Sequence, residues 1–220
     1  MDRKHHTRPR RWAPVLTLAL MAPFIGEILL GDVAWPLAAP MLVFFVPLYG
    51  AGALLVREFG RRLGGWPSIL LLAGAYAVIE EGLVTQSLFD PDYAGLRLLD
   101  EAPLPIFGMG ASWTVYVLSL HVIWSMGCSI ALVECLFPSR AREPWLRTPG
   151  LVGWGLAFLA GCVLFALTSR LTSDYRTTWG EALFCLLVAV VLVLLATRIG
   201  RRERPRPPRG GSSAAFSGGP

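Results

Sequence analysis

The sequence predicts an all-α polytopic membrane protein, a bundle of six transmembrane helices with both termini in the cytoplasm. Three observations carry that prediction. The 220-residue chain has a mean hydropathy of +0.54 and 16% charged residues, where a soluble domain is nearer a quarter charged. Its apolar residues fall into six runs of the roughly 20 residues that a bilayer core demands of a helix. Its basic residues are segregated, with seventeen of the twenty Lys and Arg in the tails or in every second connection.

The runs are Trp12–Leu30, Trp35–Val56, Trp66–Leu88, Ser112–Phe137, Leu151–Ser169 and Gly180–Thr197. Each must be a helix, because an isolated strand would leave its backbone groups unpaired in lipid. Several begin at Trp, as interfacial anchors do. The first begins after a basic tail, residues 1–11. Glu27 inside it and the lack of a small-x-small site argue against a cleaved signal peptide. Pro23, one turn before Glu27, removes a helical hydrogen bond and predicts a kink. The second run ends at Arg57-Glu58, followed by Arg61-Arg62. That is the pattern of an ordinary cytoplasmic helix end, with Glu58 and Arg62 paired at i, i+4.

In the third run, Ala73, Gly74, Ala75 and Ala77 predict close approach of a neighbouring helix. Asp90-Pro91-Asp92 past its end reads as a turn and helix stop. In the fourth run, His121, Ser125, Cys128, Leu132 and Cys135 form a stripe more polar than the rest of that helix. Glu134 near its end is expected to pair with Arg57 or Arg61 in a structural role. Residues 12–198 thus form one six-helix domain. Residues 199–220, rich in Pro, Gly, Ser and Arg, predict a disordered basic tail.

Both tails flank spans and have no aromatic interleaving, which favours contact with anionic lipid over nucleic acid. The positive-inside rule assigns them to the cytoplasm. Cys128, Cys135, Cys162 and Cys185 lie within spans without a CxxC pair and read as small core residues.

Function must rest on the ionisable residues inside the spans, because a charge in hydrocarbon costs a few kcal/mol or more and marks a functional site by default. Glu80 and His121 fall about eight and nine residues in from the outer ends of their spans, at one depth by helical rise. Glu81 is adjacent and Glu27 is shallower. In an α-helix Glu80 shares a face with Tyr76 and Val84, and Glu81 with Ala77 and Thr85. The two carboxylates point about 100° apart, so a shared site must sit between their directions. Carboxylate and imidazole suit a divalent metal, zinc foremost, with a second carboxylate as base for a metal-bound water. The same groups suit a proton relay, or an internal hydrogen-bonded network. No Walker A loop, GxSxG or zincin HExxH occurs, which disfavours a soluble-type ATPase or serine hydrolase.

Glu80-Glu81, and His121 followed four positions later by Ser125, resemble the motifs of the CPBP intramembrane proteases (CAAX-protease and bacteriocin-processing). The departures are Thr85 at the family's Arg, Val117 at its Phe, Ser125 at its Asn, and no second intramembrane His. The resemblance implies a metal-dependent intramembrane peptidase with Glu80 and His121 as metal ligands. Glu81 would be base or second ligand, and Glu27 an extra ligand. Pro47 to Glu58, the Glu-Glu-Gly at Glu80–Gly82 and the run Gln86 to Pro91 are similar to a group of uncharacterised multi-span bacterial inner-membrane proteins. That similarity implies a plasma-membrane location. The sequence therefore carries three readings: a metal-dependent hydrolase or peptidase, a proton- or cation-coupled transporter or channel, and a non-catalytic protein whose polar network fixes helix packing.

Overall fold

The computed structural model describes residues 12–203, so the expectations for the tails at 1–11 and 204–220 fall outside it. The described residues contain six apolar helices and no strand. They are α1 Ala13–Ile28, α2 Trp35–Leu63, α3 Trp66–Val84, α4 Ala111–Leu136, α5 Thr148–Thr172 and α6 Trp179–Glu203. Five of them are long and apolar enough to cross a membrane, and α1 is shorter.

Helix ends differ from the apolar runs where polar chemistry overrides hydropathy. The second helix continues seven residues past Val56, because Arg57 and Glu58 are buried and paired inside the fold. The third stops at Val84 rather than Leu88. There Gln86 takes a left-handed backbone, φ 65°, which an α-helix does not accommodate. The last helix runs to Glu203, beyond the end of its apolar run at Thr197.

The four helices that build the site are not α-helical throughout. Each holds a π-helical stretch: Phe24–Ile28 in α1, Val46–Gly50 in α2, Glu80–Val84 in α3 and Leu120–Cys128 in α4. Pro23 precedes the first and Pro47 lies in the second. A proline lacks the N–H that an i→i−4 bond needs, and a one-residue slip to i+5 pairing accommodates that loss. In α1 the Leu29 N–H accordingly bonds the Phe24 carbonyl at 2.9 Å. The Ile25 carbonyl instead accepts the Trp124 indole N–H of α4 at 2.9 Å, fastening two site helices together.

The slip also corrects the stripe expected on α4. A π turn holds more residues than an α turn, so positions beyond it rotate. His121 and Ser125 are buried, but the buried face then continues through Ser129, Ile130, Val133 and Glu134. Leu132 and Cys135 are exposed.

The core lies among α1–α4. Val15, Leu18, Leu48, Leu54, Ile69, Met126, Ile130 and Val133 form one cluster. Gly50 is needed there, since a Cβ would sit 2.3 Å from the Ala19 carbonyl oxygen of α1. The small residues of α3 meet α6 as expected: Gly74 faces Leu192, and a Cβ on Gly82 would overlap the Cys185 sulfur at 2.3 Å. The Ser68 hydroxyl donates to the Ala196 carbonyl at 2.9 Å. By contrast α5 turns most of its surface outward, with Leu156, Leu159, Val163 and Leu167 exposed.

Candidate functional site

Two buried ionic clusters lie toward opposite ends of the bundle. The first, beneath the α1–α2, α3–α4 and α5–α6 connections, gathers Glu80, Glu81 and His121. These offer donor atoms within 4.8 Å of one another, the only such group of His, Cys, Asp and Glu among the described residues. The His121 ring sits between the two carboxylates. Its Nε2 lies 2.6 Å from Glu81 Oε1, and its Nδ1 lies 3.2 Å from Glu80 Oε2. All three side chains are nearly inaccessible.

The two glutamates differ in their surroundings. Glu81 has both oxygens engaged: Oε1 by His121, and Oε2 by the hydroxyls of Thr85 (2.9 Å) and Ser87. Ser87 also accepts the Trp113 indole N–H at 3.2 Å. The strained Gln86 turn presents Ser87 to that carboxylate. Gln86 is itself held by its Oε1, which accepts from the N–H and hydroxyl of Thr177 at 2.8 and 3.0 Å. On the other side of the ring, Glu80 Oε2 and His121 Nδ1 are buried with no hydrogen bond of acceptable geometry, as are the Tyr76 hydroxyl and the Ser125 hydroxyl. Buried polar atoms are nearly always partnered, so this half of the cluster is incomplete as it stands.

Tyrosines complete the floor. The rings of Tyr49 and Tyr76 lie 5.8 and 6.2 Å from the His121 ring, and the Tyr49 hydroxyl is directed at both Glu27 and Glu80. Glu27 is half-buried, lies outside the tight three-residue group, and approaches it through Tyr49. A cavity of about 650 Å³ opens above these residues. Glu27, Tyr49, Glu80, Glu81 and His121 line its floor, and Phe45, Tyr116, Leu120, Phe165 and Thr168 line its walls. Asp32 and Tyr93 stand nearer the connections. Partial burial raises the Asp32 carboxyl above its ordinary range, and burial with the nearby Glu81 raises the Tyr93 phenol.

The sequence thus identifies Glu80, Glu81 and His121 as a group, and the structure brings them together with the shared position between the two carboxylates. It does not identify Tyr49, Ser87, Trp113 or the Gln86 turn. A tyrosine deep in an apolar run, four positions after Phe45 and two after a proline, is the signal that points to Tyr49. Nothing local marks Ser87, which the turn delivers from outside its helix. Asp90 serves the turn as expected: its Oδ1 accepts the Asp92 N–H and its Oδ2 accepts the Ser173 hydroxyl, at 3.0 and 2.6 Å.

The second cluster is centred on Arg57, which is fully buried. Its Nε donates to Glu134 (3.1 Å). One terminal nitrogen donates to Glu58 and the Glu143 carbonyl (both 2.8 Å), and the other to the carbonyls of Arg140 (3.3 Å) and Ala141 (2.8 Å). All five donors are used. Its guanidinium also stacks on the Trp145 ring at 3.4 Å. Glu58 accepts from Arg57 and Arg62 and from the N–H groups of Trp145 and Leu146. Glu134 accepts from both Arg57 and Arg61, as its sequence context predicts. The Glu58–Arg62 pair is present at 3.3 Å, but the ordinary helix end is not. The network reaches inward and clamps the α4–α5 connection.

A family model described as an uncharacterized membrane protein family matches residues 16–211. The chain belongs to that family and is a helical transmembrane protein of the lipid bilayer. No curated protein and no solved structure matches it.

Proposed function

We propose that the cavity is the site of a metal-dependent intramembrane hydrolase or peptidase, with Glu80 and His121 as metal ligands. The observation that carries this reading is the pair of orphaned buried atoms, Glu80 Oε2 and His121 Nδ1, 3.2 Å apart on a cavity floor. A carboxylate oxygen and an imidazole nitrogen are a fitting donor set for zinc. Glu27, across Tyr49, is the third ligand of this reading. Glu81 takes the supporting role: a ligating histidine is oriented by a carboxylate on its other nitrogen, and both Glu81 oxygens are occupied. Bound there, the metal would lower the pKa of a water and polarise a scissile carbonyl. The protein's own part is to fix the His121 ring through Glu81, Thr85 and Ser87, and to aim the Tyr49 hydroxyl into the cavity. The resemblance of Glu80-Glu81 and His121-x-x-x-Ser125 to the CPBP motifs supports the same chemistry.

This reading takes the chain as six spans in a bacterial plasma membrane, termini in the cytoplasm, basic tails against anionic lipid rather than nucleic acid. Shared placement of the α1–α2, α3–α4 and α5–α6 connections, and of Arg57, Arg61, Arg62 and Arg140 toward the opposite end, support it. The cavity then faces outward.

The test is the metal content of protein purified in mild detergent, beside a His121→Ala variant. About one transition-metal ion per chain, lost in the variant, is expected. No metal in either after reloading with zinc overturns the reading. It would leave translocation of a proton or cation, which the series Asp32, Glu27 and Glu80 along the cavity favours. Glu81→Gln separates the three readings: it abolishes hydrolysis, abolishes or uncouples flux, or alters only thermal stability.

A further inference from the structure

The cavity's charge and shape go further, to the class of molecule it takes. Among the described residues lining it are four carboxyl groups, of Glu27, Asp32, Glu80 and Glu81, and a single imidazole; none is Lys or Arg. A buried anion needs donors or a cation, and this cavity offers an anionic headgroup no Lys or Arg, an imidazole already set between two carboxylates, and its own carboxylates as opponents. An ammonium group has three N–H donors and no acceptor, the complement of a floor whose Glu80 Oε2 is an acceptor without a donor.

The walls ask for something different. They are aromatic and aliphatic, and they lead outward between α4 and α5 to exposed positions, Tyr116 at 57% exposure and Thr168. A second, shallower cavity of about 350 Å³ shares Leu96, Leu98, Trp113 and Tyr116 with the first and continues over the α3–α4 connection, where Arg97, Glu101 and Ser112 join its lining. At about 650 Å³ the main cavity is within the roughly 300–1,000 Å³ of small-ligand sites. An acidic floor and an apolar flank reaching the bundle surface fit a molecule with one charged end and one hydrocarbon end.

We infer that the cavity binds a single-chain amphiphile with an amine head, its ammonium at Glu80 and Glu27 and its chain along Phe45, Phe165 and Tyr116. The inference rests on the cavity being the working site and not on a bound metal, since an ammonium and a metal ion compete for Glu80 and Glu27. Charge selects the head: an anionic amphiphile of equal length is refused at the floor, while the walls treat both alike.

The test uses full-length protein in phosphatidylcholine nanodiscs and two probes, dodecylammonium and dodecyl sulfate, each with a photoreactive group near the chain end. Cross-links are mapped by mass spectrometry over a concentration series. The expected result is saturable labelling of Phe45, Phe165 or Tyr116 by the ammonium probe at a half-saturating concentration at least tenfold below that of the sulfate. Glu27→Gln weakens it several-fold, and Thr168→Trp, at an exposed wall position, blocks it. Both are placed to leave folding intact, which is checked by their thermal midpoints. Equal labelling by the two probes overturns the inference, as does labelling confined to outward residues of α5 such as Leu156 and Val163. Metal content is measured on the same preparation. Metal without selective ammonium labelling removes this inference and keeps the hydrolase reading, and the opposite pattern does the reverse.

Discussion

The Arg57 cluster and the His121 cluster are both ionic and both buried, yet one is saturated and the other is not. Arg57 spends five donors on five acceptors and stacks on Trp145. His121 and Glu80 leave facing atoms without a hydrogen bond beside a cavity. Burial of charge alone therefore does not identify a working site in this protein. Completeness separates the two, since a filled network fixes a structure and an unfilled one is shaped for something else.

Breaking the filled cluster should have the largest effect. Arg57→Met leaves Glu58 and Glu134 buried without their main partner, and stability should fall by about 3–5 kcal/mol, read as a lower unfolding midpoint in detergent. Glu80→Gln removes a charge whose Oε2 has no hydrogen bond of acceptable geometry, and should be neutral or stabilising in the same assay. Equal losses in both would erase the distinction between the clusters.

The next effect sharpens the unfilled side. Ser87→Ala removes one of the donors that hold Glu81, and should weaken zinc binding by about 10–100-fold in a competition titration with a chromogenic chelator, while moving the unfolding midpoint little. An unchanged affinity would make the Gln86–Ser87 turn a helix stop and nothing more.

The smallest effects lie outside both clusters. The raised Asp32 carboxyl binds its proton more tightly folded than unfolded, so it favours the folded state below its ordinary value of 3.8. That contribution is lost as pH rises from there through its raised folded value. Asp32→Asn, which resembles the protonated form, should flatten the stability profile slightly across that interval, leaving stability unchanged below it and slightly higher at neutral pH. Arg97→Ala, which breaks the exposed pair with Asp100, should leave the midpoint where it is; a measurable loss would give that connection a role in the fold.

Hydropathy and arginine placement make the helices legible, because lipid admits few alternatives. The three central site residues are legible for the same reason. Their arrangement is not, because it depends on i+5 slips that a 3.6-residue wheel cannot represent. The wheel sets Glu80 and Glu81 on separate faces and extends the His121 stripe to Cys135. The π stretches instead let one imidazole meet both carboxylates, and turn Cys135 outward. Pro23 and Pro47 announce two of the four slips; those in α3 and α4 carry no such mark. Arg57 misleads for a different reason: Glu58 and Glu134 are legible as partners, but the backbone carbonyls of Arg140, Ala141 and Glu143 that complete its network lie more than eighty residues away, beyond any local pattern.

The central claim, that the unfilled cluster is a cation site and the filled one is structure, is tested most directly by the unfolding midpoint against zinc concentration in the wild type and in Glu80→Gln. A ligand at 100 times its dissociation constant stabilises by about 2.7 kcal/mol, so the wild-type midpoint should climb by several degrees and return on chelation, while that of Glu80→Gln stays flat. Parallel curves for the two proteins, whether both climb or neither does, would contradict the claim.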